Sequence, residues 1–167
     1  MKVNYRQQIN YSSINFLDWK FSFFSSDKGL IFTTFQDDPI ADFSKWSGIS
    51  KLVNKENPKI SSAFLDYFSG RSSSPKISID WNFWQFSNFQ ILILKKLLEI
   101  DKPVSYSEFA RRIGNQKAVR AVATAVGKNP FEVVVPCHRI ITKSGKIGKY
   151  RDGSNIKAAL LQLEKQL

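Results

Sequence analysis

Val135-Pro136-Cys137-His138-Arg139 contains the only cysteine and the only histidine of the 167-residue chain. A thiol becomes a nucleophile as its thiolate, and a neighbouring base or positive charge is the usual means of producing one. Both reactive side chains therefore stand where one can activate the other, with Arg139 beside them. This pattern identifies Cys137 as a candidate nucleophile and His138 as its candidate base, with the thiol pKa expected to be lowered by His138 and the local positive charge. Upstream, Val133-Val134-Val135 reads as a short buried strand. Along a strand, adjacent side chains point to opposite faces. Cys137 and His138 can cooperate only if the backbone leaves strand geometry at or just after Pro136.

Further outward the pattern is helical. Ala118–Gly127 reads as a short alanine-rich helix with Ala121 and Ala125 on one face. Tyr106–Ile113 reads as another, opened by a capping box in which Ser105 caps the helix start and Glu108 reaches back. Gly114-Asn115-Gln116-Lys117 joins the two, which makes them a helix-turn-helix candidate. Phe89–Ile100 is an apolar helix followed by Pro103. Ile156–Leu167 is a closing amphipathic helix with Glu164 among Leu160, Leu161 and Leu163. Lys143-Ser144-Gly145 is a turn, and residues 148–153 form a polar loop. In the N-terminal part, Leu17–Phe35 reads as two strands joined by a turn at Ser26-Asp27-Lys28-Gly29. A short helix is expected near Phe43–Trp46 and a longer one over Ile60–Phe68, stopped by Gly70. The Ser-rich stretch Arg71–Pro75 is the candidate domain boundary, with Ile77-Ser78-Ile79 a short strand after it.

Composition narrows the function. Hydrophobic residues make up 43% of the chain, with 14 Phe and 4 Trp, enough for an aromatic core. One Cys and one His cannot build a disulfide framework or a four-ligand zinc site. There is no run of about 18 apolar residues to span a membrane. The opening MKVNYRQQINY lacks the apolar core of a signal peptide. These features point to an intracellular, cytoplasmic protein. The net charge is +11, and it is uneven: residues 103–167 carry 12 Lys and Arg against 4 Asp and Glu, residues 1–102 carry 13 against 10. Concentrated positive charge favours a polyanion through counterion release.

From Phe86 onward the sequence resembles the O6-alkylguanine-DNA alkyltransferases, or methylated-DNA–protein-cysteine methyltransferases. The resemblance rests on Gly127-Lys128-Asn129-Pro130 followed by Val135-Pro136-Cys137-His138-Arg139. Ser105-Tyr106, Arg120-Ala121-Val122, Gly148-Lys149-Tyr150 and Leu160-Leu161-Gln162-Leu163-Glu164 support it in the right order. It implies an α+β protein: a small N-terminal α/β domain with an antiparallel sheet over residues 1–76, then a mainly helical C-terminal domain with a helix-turn-helix over residues 77–167. The implied partner is double-stranded DNA carrying O6-alkylguanine, met by a monomer with no cofactor, no metal and no membrane.

The family chemistry implies a role for each matched residue. The damaged nucleotide is flipped from the duplex, with Arg120 filling the vacated stack. Ser105, Tyr106, Ala121 and Arg139 join Arg120 as DNA-contacting residues. Cys137 takes the alkyl group irreversibly from O6-alkylguanine, and from O4-alkylthymine by extension. His138 draws the thiol proton through a water, Glu164 orients His138, Tyr106 serves the departing base, and Asn129 pins the cysteine turn. Tyr150, Arg151, Val135 and Pro136 line the substrate pocket. Departures from the family pattern cluster there: Arg151-Asp152-Gly153 stands where many members have Ser-Gly-Gly, and Glu132 adds a negative charge nearby. Ala123 replaces a common Gly. Three alternatives use the same residues differently: a non-enzymatic lesion binder, a helix-turn-helix sensor alkylated at Cys137, and a cysteine hydrolase.

Overall fold

A computed structural model of the chain describes residue 3 and residues 8–165. The opening residues considered for a signal peptide fall largely outside these, as do the last two of the expected C-terminal helix. Two compact units divide between Gln85 and Phe86.

The first unit is built on a sheet of order β3-β2-β1-β4. Its strands are β1 (Asn10–Phe16), β2 (Trp19–Ser25), β3 (Leu30–Thr34) and β4 (Val53–Asn54). β1, β2 and β3 are antiparallel neighbours, and β4 runs parallel to β1. The alternation of Phe in β2 serves both faces of the sheet. Phe21 and Phe23 meet Phe64 of helix α2 (Pro58–Phe68), while Phe24 stacks on Phe43 of helix α1 (Pro39–Ser47), with ring centroids 4.5 Å apart. Aromatic pairs at these separations add to the burial of their large apolar surfaces. Each helix has a side-chain cap, Asp38 on Ala41 N and Asn57 on Ile60 N, with Pro at its first position, where a missing N–H costs nothing.

Two expectations change here. β1 belongs to the sheet although NYSSINF carries few apolar residues; its pairing with β2, including Ser13 against Ser22 with hydroxyls 2.8 Å apart, supplies what side-chain hydrophobicity does not. The Ser-rich stretch lies inside the first unit. Beyond it the chain returns to the β3 edge, where Leu30 N donates to Ser78 O and Asp80 N to Leu30 O, both at 2.9 Å. Ile77–Ile79 contributes one bridge, Ile79 to Leu30, and no strand. Trp84 then donates its indole N–H to Ile31 O at 2.7 Å.

The second unit holds four helices and a small parallel pair. Helix α3 (Asn88–Leu97), capped by Ser87, buries Ile93, Leu94 and Leu97 and packs on helix α5 (Val119–Gly127). Gln90 of α3 donates to Ala125 O at 2.9 Å. Helix α4 (Tyr106–Arg112) leads through Gly114 and a 3-10 turn, Gln116–Ala118, into α5, giving the two helices and turn of the expected helix-turn-helix. The capping box is half formed. Ser105 accepts from Glu108 N at 3.1 Å, but the Glu108 carboxylate turns to Arg111 and Arg112. Helix α6 (Ser154–Glu164) closes the unit. Strand β5 (Val104–Ser105) pairs in parallel with β6 (Ile140–Ile141); Tyr106 follows β5, and Cys137–Arg139 leads into β6. No helix among the described residues is long and apolar enough to cross a membrane.

Gly29 offers a local test of the β2–β3 turn. Its φ is +145°, and a Cβ there would collide with the Ser78 carbonyl oxygen. Gly29→Ala is expected to lower the unfolding free energy by more than about 1 kcal/mol, read as a shift in the urea midpoint at unchanged slope.

Candidate active site

Val133-Val134-Val135 does not form the expected strand. Val133 adopts φ +74°, a left-handed conformation costly for a β-branched residue. The segment turns instead, with Val135 N donating to Phe131 O at 2.8 Å. Pro136 then leads into a 3-10 turn over Cys137–Arg139. The backbone thus leaves strand geometry at Pro136, the condition the sequence set for Cys137 and His138 to cooperate.

Asn129, 2% exposed, holds this arrangement. Its carbonyl oxygen accepts from Phe131 N at 2.9 Å. Its amide donates to Val135 O at 2.9 Å and to Cys137 Sγ at 3.1 Å. The Asn129 side chain thus binds both ends of the loop and the thiol itself.

Behind the thiol lies a charged relay. His138 is fully buried, and its Nε2 lies 2.9 Å from Glu164 Oε1 on α6. Burial disfavours the Glu164 anion, but the hydrogen bonds from His138 and Arg139 prevail and hold its carboxyl at about 2. An ionised carboxylate only accepts, so Nε2 carries the proton and Nδ1 holds the lone pair. Nδ1 is buried with no protein hydrogen-bond partner. Burial also pulls the His138 pKa below the ordinary imidazole value, against the opposing pull of Glu164. The imidazole is therefore neutral at pH 7, with a free basic nitrogen.

Arg139, expected among the DNA-contacting residues, is engaged within the protein. Its guanidinium donates to both Glu164 oxygens, at 3.0 and 2.8 Å, and to Ile100 O, with its side chain 11% exposed. It is a partner of the relay.

Cys137 lines a cavity of about 540 Å³ with Tyr106, Asn129, Glu132, Tyr150 and Arg151. Tyr106 is half-buried, and burial followed by the proximity of Cys137 raises its phenol pKa. The Tyr150 hydroxyl is buried without a hydrogen-bond partner. Val135 and Pro136 are buried in the support of the turn. Ser105 caps α4 next to Tyr106. Arg120 and Ala121 are exposed near the start of α5, and among the described residues the Arg120 guanidinium has no partner. Ala121 and Ala125 do not share an environment, since Ala125 is buried against α3.

Two expectations need amendment. The thiol pKa is raised. Burial, then the Glu132 carboxylate, push it up to about 12, against the Asn129 hydrogen bond and the Arg151 and Lys157 cations. Adjacency to His138 does not supply a positive charge, because that imidazole is itself buried and neutral. Lys157 is the residue that motif reading passes over. It is fully buried on α6 and donates to Ile140 O. Its spacing to Leu160 and Leu161, i+3 and i+4, marks it as a lysine on the core face of an amphipathic helix.

The chain is similar to known proteins. Residues 88–166 match the family model for the 6-O-methylguanine DNA methyltransferase, DNA binding domain. The inducible methylated-DNA–protein-cysteine methyltransferase of Bacillus subtilis (strain 168) is 34% identical over 174 residues, covering 99% of this chain and 95% of that protein. The methylated-DNA–protein-cysteine methyltransferase of Mycobacterium tuberculosis (strain H37Rv) is 43% identical over 101 residues, 59% of each chain. A crystal structure of Mycobacterium tuberculosis OGT in complex with DNA is similar at a TM-score of 0.80 and 28% identity, covering 94% of this chain and 93% of that one.

A raised thiol pKa means that thiolate accumulates only as pH rises. Alkylation of Cys137 by iodoacetamide is expected to quicken about tenfold per pH unit from pH 7 to 9, without a plateau. A plateau in that range, read by mass spectrometry of the Cys137 peptide, contradicts the neutral resting thiol.

Proposed function

The chain belongs to the methylated-DNA–protein-cysteine methyltransferases, and on that premise we propose that Cys137 is the acceptor to which it transfers the alkyl group of O6-alkylguanine in duplex DNA. The observation that carries this reading is a buried thiol at a cavity, hydrogen-bonded by Asn129, beside a neutral imidazole whose other nitrogen is fixed by Glu164.

The reaction is one in-line displacement. The Cys137 Sγ–carbon bond forms as the carbon–O6 bond breaks, and the bonding pair leaves with guanine. The thiol proton passes to His138 Nδ1, through a water where the two do not touch. Glu164 and Arg139 keep the relay oriented, and the imidazolium that forms faces an ionised carboxylate. The Tyr106 hydroxyl, at the cavity wall, donates to the departing base, which is a poor leaving group as a free anion. Tyr150 and the backbone of its loop hold the guanine. The product thioether has no second nucleophile to release it, so each protein acts once. O4-alkylthymine offers the same carbon–oxygen bond and is a second substrate of the same chemistry. The protein works as a monomer in the cytoplasm, on DNA.

Extrusion falls to α5. Arg120 is exposed and, among the described residues, unpartnered at its N-terminal end, with the small Ala121 beside it, so backbone can approach. A planar cation rich in donors suits an emptied base stack. The basic excess of residues 103–167 supplies salt-sensitive, largely sequence-independent binding.

Two outcomes are expected. Incubation with excess O6-methylguanine duplex transfers at most one methyl group per protein, all on the Cys137 peptide; methyl elsewhere, or sustained turnover, removes Cys137 from its role. Arg120→Ala slows repair in duplex DNA by on the order of 10- to 100-fold, because holding a base out of the stack costs a few kcal/mol. The same variant leaves reaction with the free O6-alkylguanine base nearly intact, and equal loss on both substrates withdraws the extrusion role.

A further inference from the structure

Glu132 and Arg151 stand out among the residues lining the cavity, because they form a buried ion cluster. Arg151 Nη2 donates to Glu132 Oε2 at 3.0 Å and to Asp152 Oδ2 at 3.3 Å. Its Nε reaches Asp152 Oδ1 at 3.2 Å, and its Nη1 reaches the backbone oxygen of Asn129 at 3.0 Å. The Arg151 side chain is 14% exposed, and those of Glu132 and Asp152 are 1% exposed.

The cluster joins two loops. Asn129 and Glu132 belong to the loop that ends in Cys137. Arg151 and Asp152 belong to the segment between β6 and α6, which has no regular structure over residues 146–150 and carries Gly148 at φ +75° and Gly153 at φ +120°. Regular backbone pairing does not hold residues 148–153 over the thiol; the Arg151 guanidinium does. A buried ion cluster adds little net stability over apolar residues of the same volume, yet loss of one partner strands an unpaired charge. Its members are therefore held to one geometry. Both Glu132 and Arg151 act electrostatically on Cys137, so the cluster lies beside the reacting atom.

We infer that Arg151, clamped between Glu132 and Asp152, fixes the spacing of the two loops and restricts the cavity to small alkyl groups, methyl in preference to benzyl. A methyl group projects little beyond guanine O6. A benzyl ring in a cavity lined by Glu132 and Arg151 would lie against charged groups that gain nothing from an apolar surface. Arg151 acts as a positioning residue through the loops it joins. The inference rests on the alkyl-transfer reading above.

The test uses the full chain and two duplexes identical except for one O6-methylguanine or one O6-benzylguanine. Single-turnover rates are followed by the mass of the Cys137 peptide. The wild type is expected to react with the methyl duplex at least about tenfold faster than with the benzyl duplex, the scale on which pockets discriminate small apolar differences. The combined variant Glu132→Ala, Arg151→Ser, Asp152→Gly removes all three charges together and is expected to raise the benzyl-to-methyl ratio by about tenfold. Impaired folding lowers both rates and leaves their ratio alone. Should that variant not fold, Glu132→Gln, Arg151→Gln, Asp152→Asn removes the charges with a smaller loss of volume and is expected to raise the same ratio. An unchanged ratio in a folded variant, or a wild type that takes benzyl as fast as methyl, overturns the inference. A wild type that transfers neither group overturns the alkyl-transfer reading itself, and does so before any variant is compared.

Discussion

The site depends on the Asn129 side chain. One amide group satisfies Phe131 N, Val135 O and Cys137 Sγ, all buried. Without it, Phe131 N and Cys137 Sγ would lose their bonds to Asn129, and Val135 O would keep only its bond from Cys137 N. The loop also contains Val133 at positive φ, a conformation that persists only where the surroundings over-determine it. Asn129 is one such determinant and the Val135–Phe131 bond is another. Together they bring Cys137 to the cavity edge while its backbone stays in a tight turn. The parallel pairing of β5 with β6 extends this order to Tyr106, whose helix begins where β5 ends.

A thiol buried among few compensating charges is a poor nucleophile at rest. This suits a protein whose reactive group serves once, because a standing thiolate would be open to oxidation and stray electrophiles. The proposed reaction needs the thiolate only when an alkylated base fills the cavity. The driving force for deprotonation then comes from the neutral imidazole and from bond formation in the transition state, where enzymes gain rate most effectively.

What could be read from the sequence follows from how local each signal was. Ser105 before Tyr106, Gly114 after α4, and the aromatic alternation of β2 are short-range patterns, and each marks an element that exists. β1 escaped because its register is imposed by β2, a partner beyond the reach of its own composition. The Val133–Val135 run looked like a strand because β-branched residues favour one; a side chain four residues upstream of it dictated a turn. The first unit extends past the Ser-rich stretch because of backbone bonds to β3 that no composition shift announces. The resemblance implied Arg139 as a DNA contact, and no local signal pointed to its partners within the protein. Its placement depends on Glu164, distant along the chain. The thiol pKa could not be read locally, because burial and Glu132 set it through the fold.

The arrangement of Glu164 explains why the relay can work at neutral pH. A buried carboxylate facing a lone histidine would draw a proton onto the imidazole, since an ion pair is the cheaper buried state. Such a histidine could not take the proton of Cys137. Here Arg139 reaches both Glu164 oxygens and balances the carboxylate permanently. Glu164 is then ionised with or without a proton on His138 Nδ1, and the buried imidazole can remain neutral. Glu164 still fixes the tautomer through Nε2 and still faces the imidazolium once the proton arrives. Two cationic groups share one carboxylate, and only one of them is permanent; in the proposed reaction that difference leaves His138 free to act as the base.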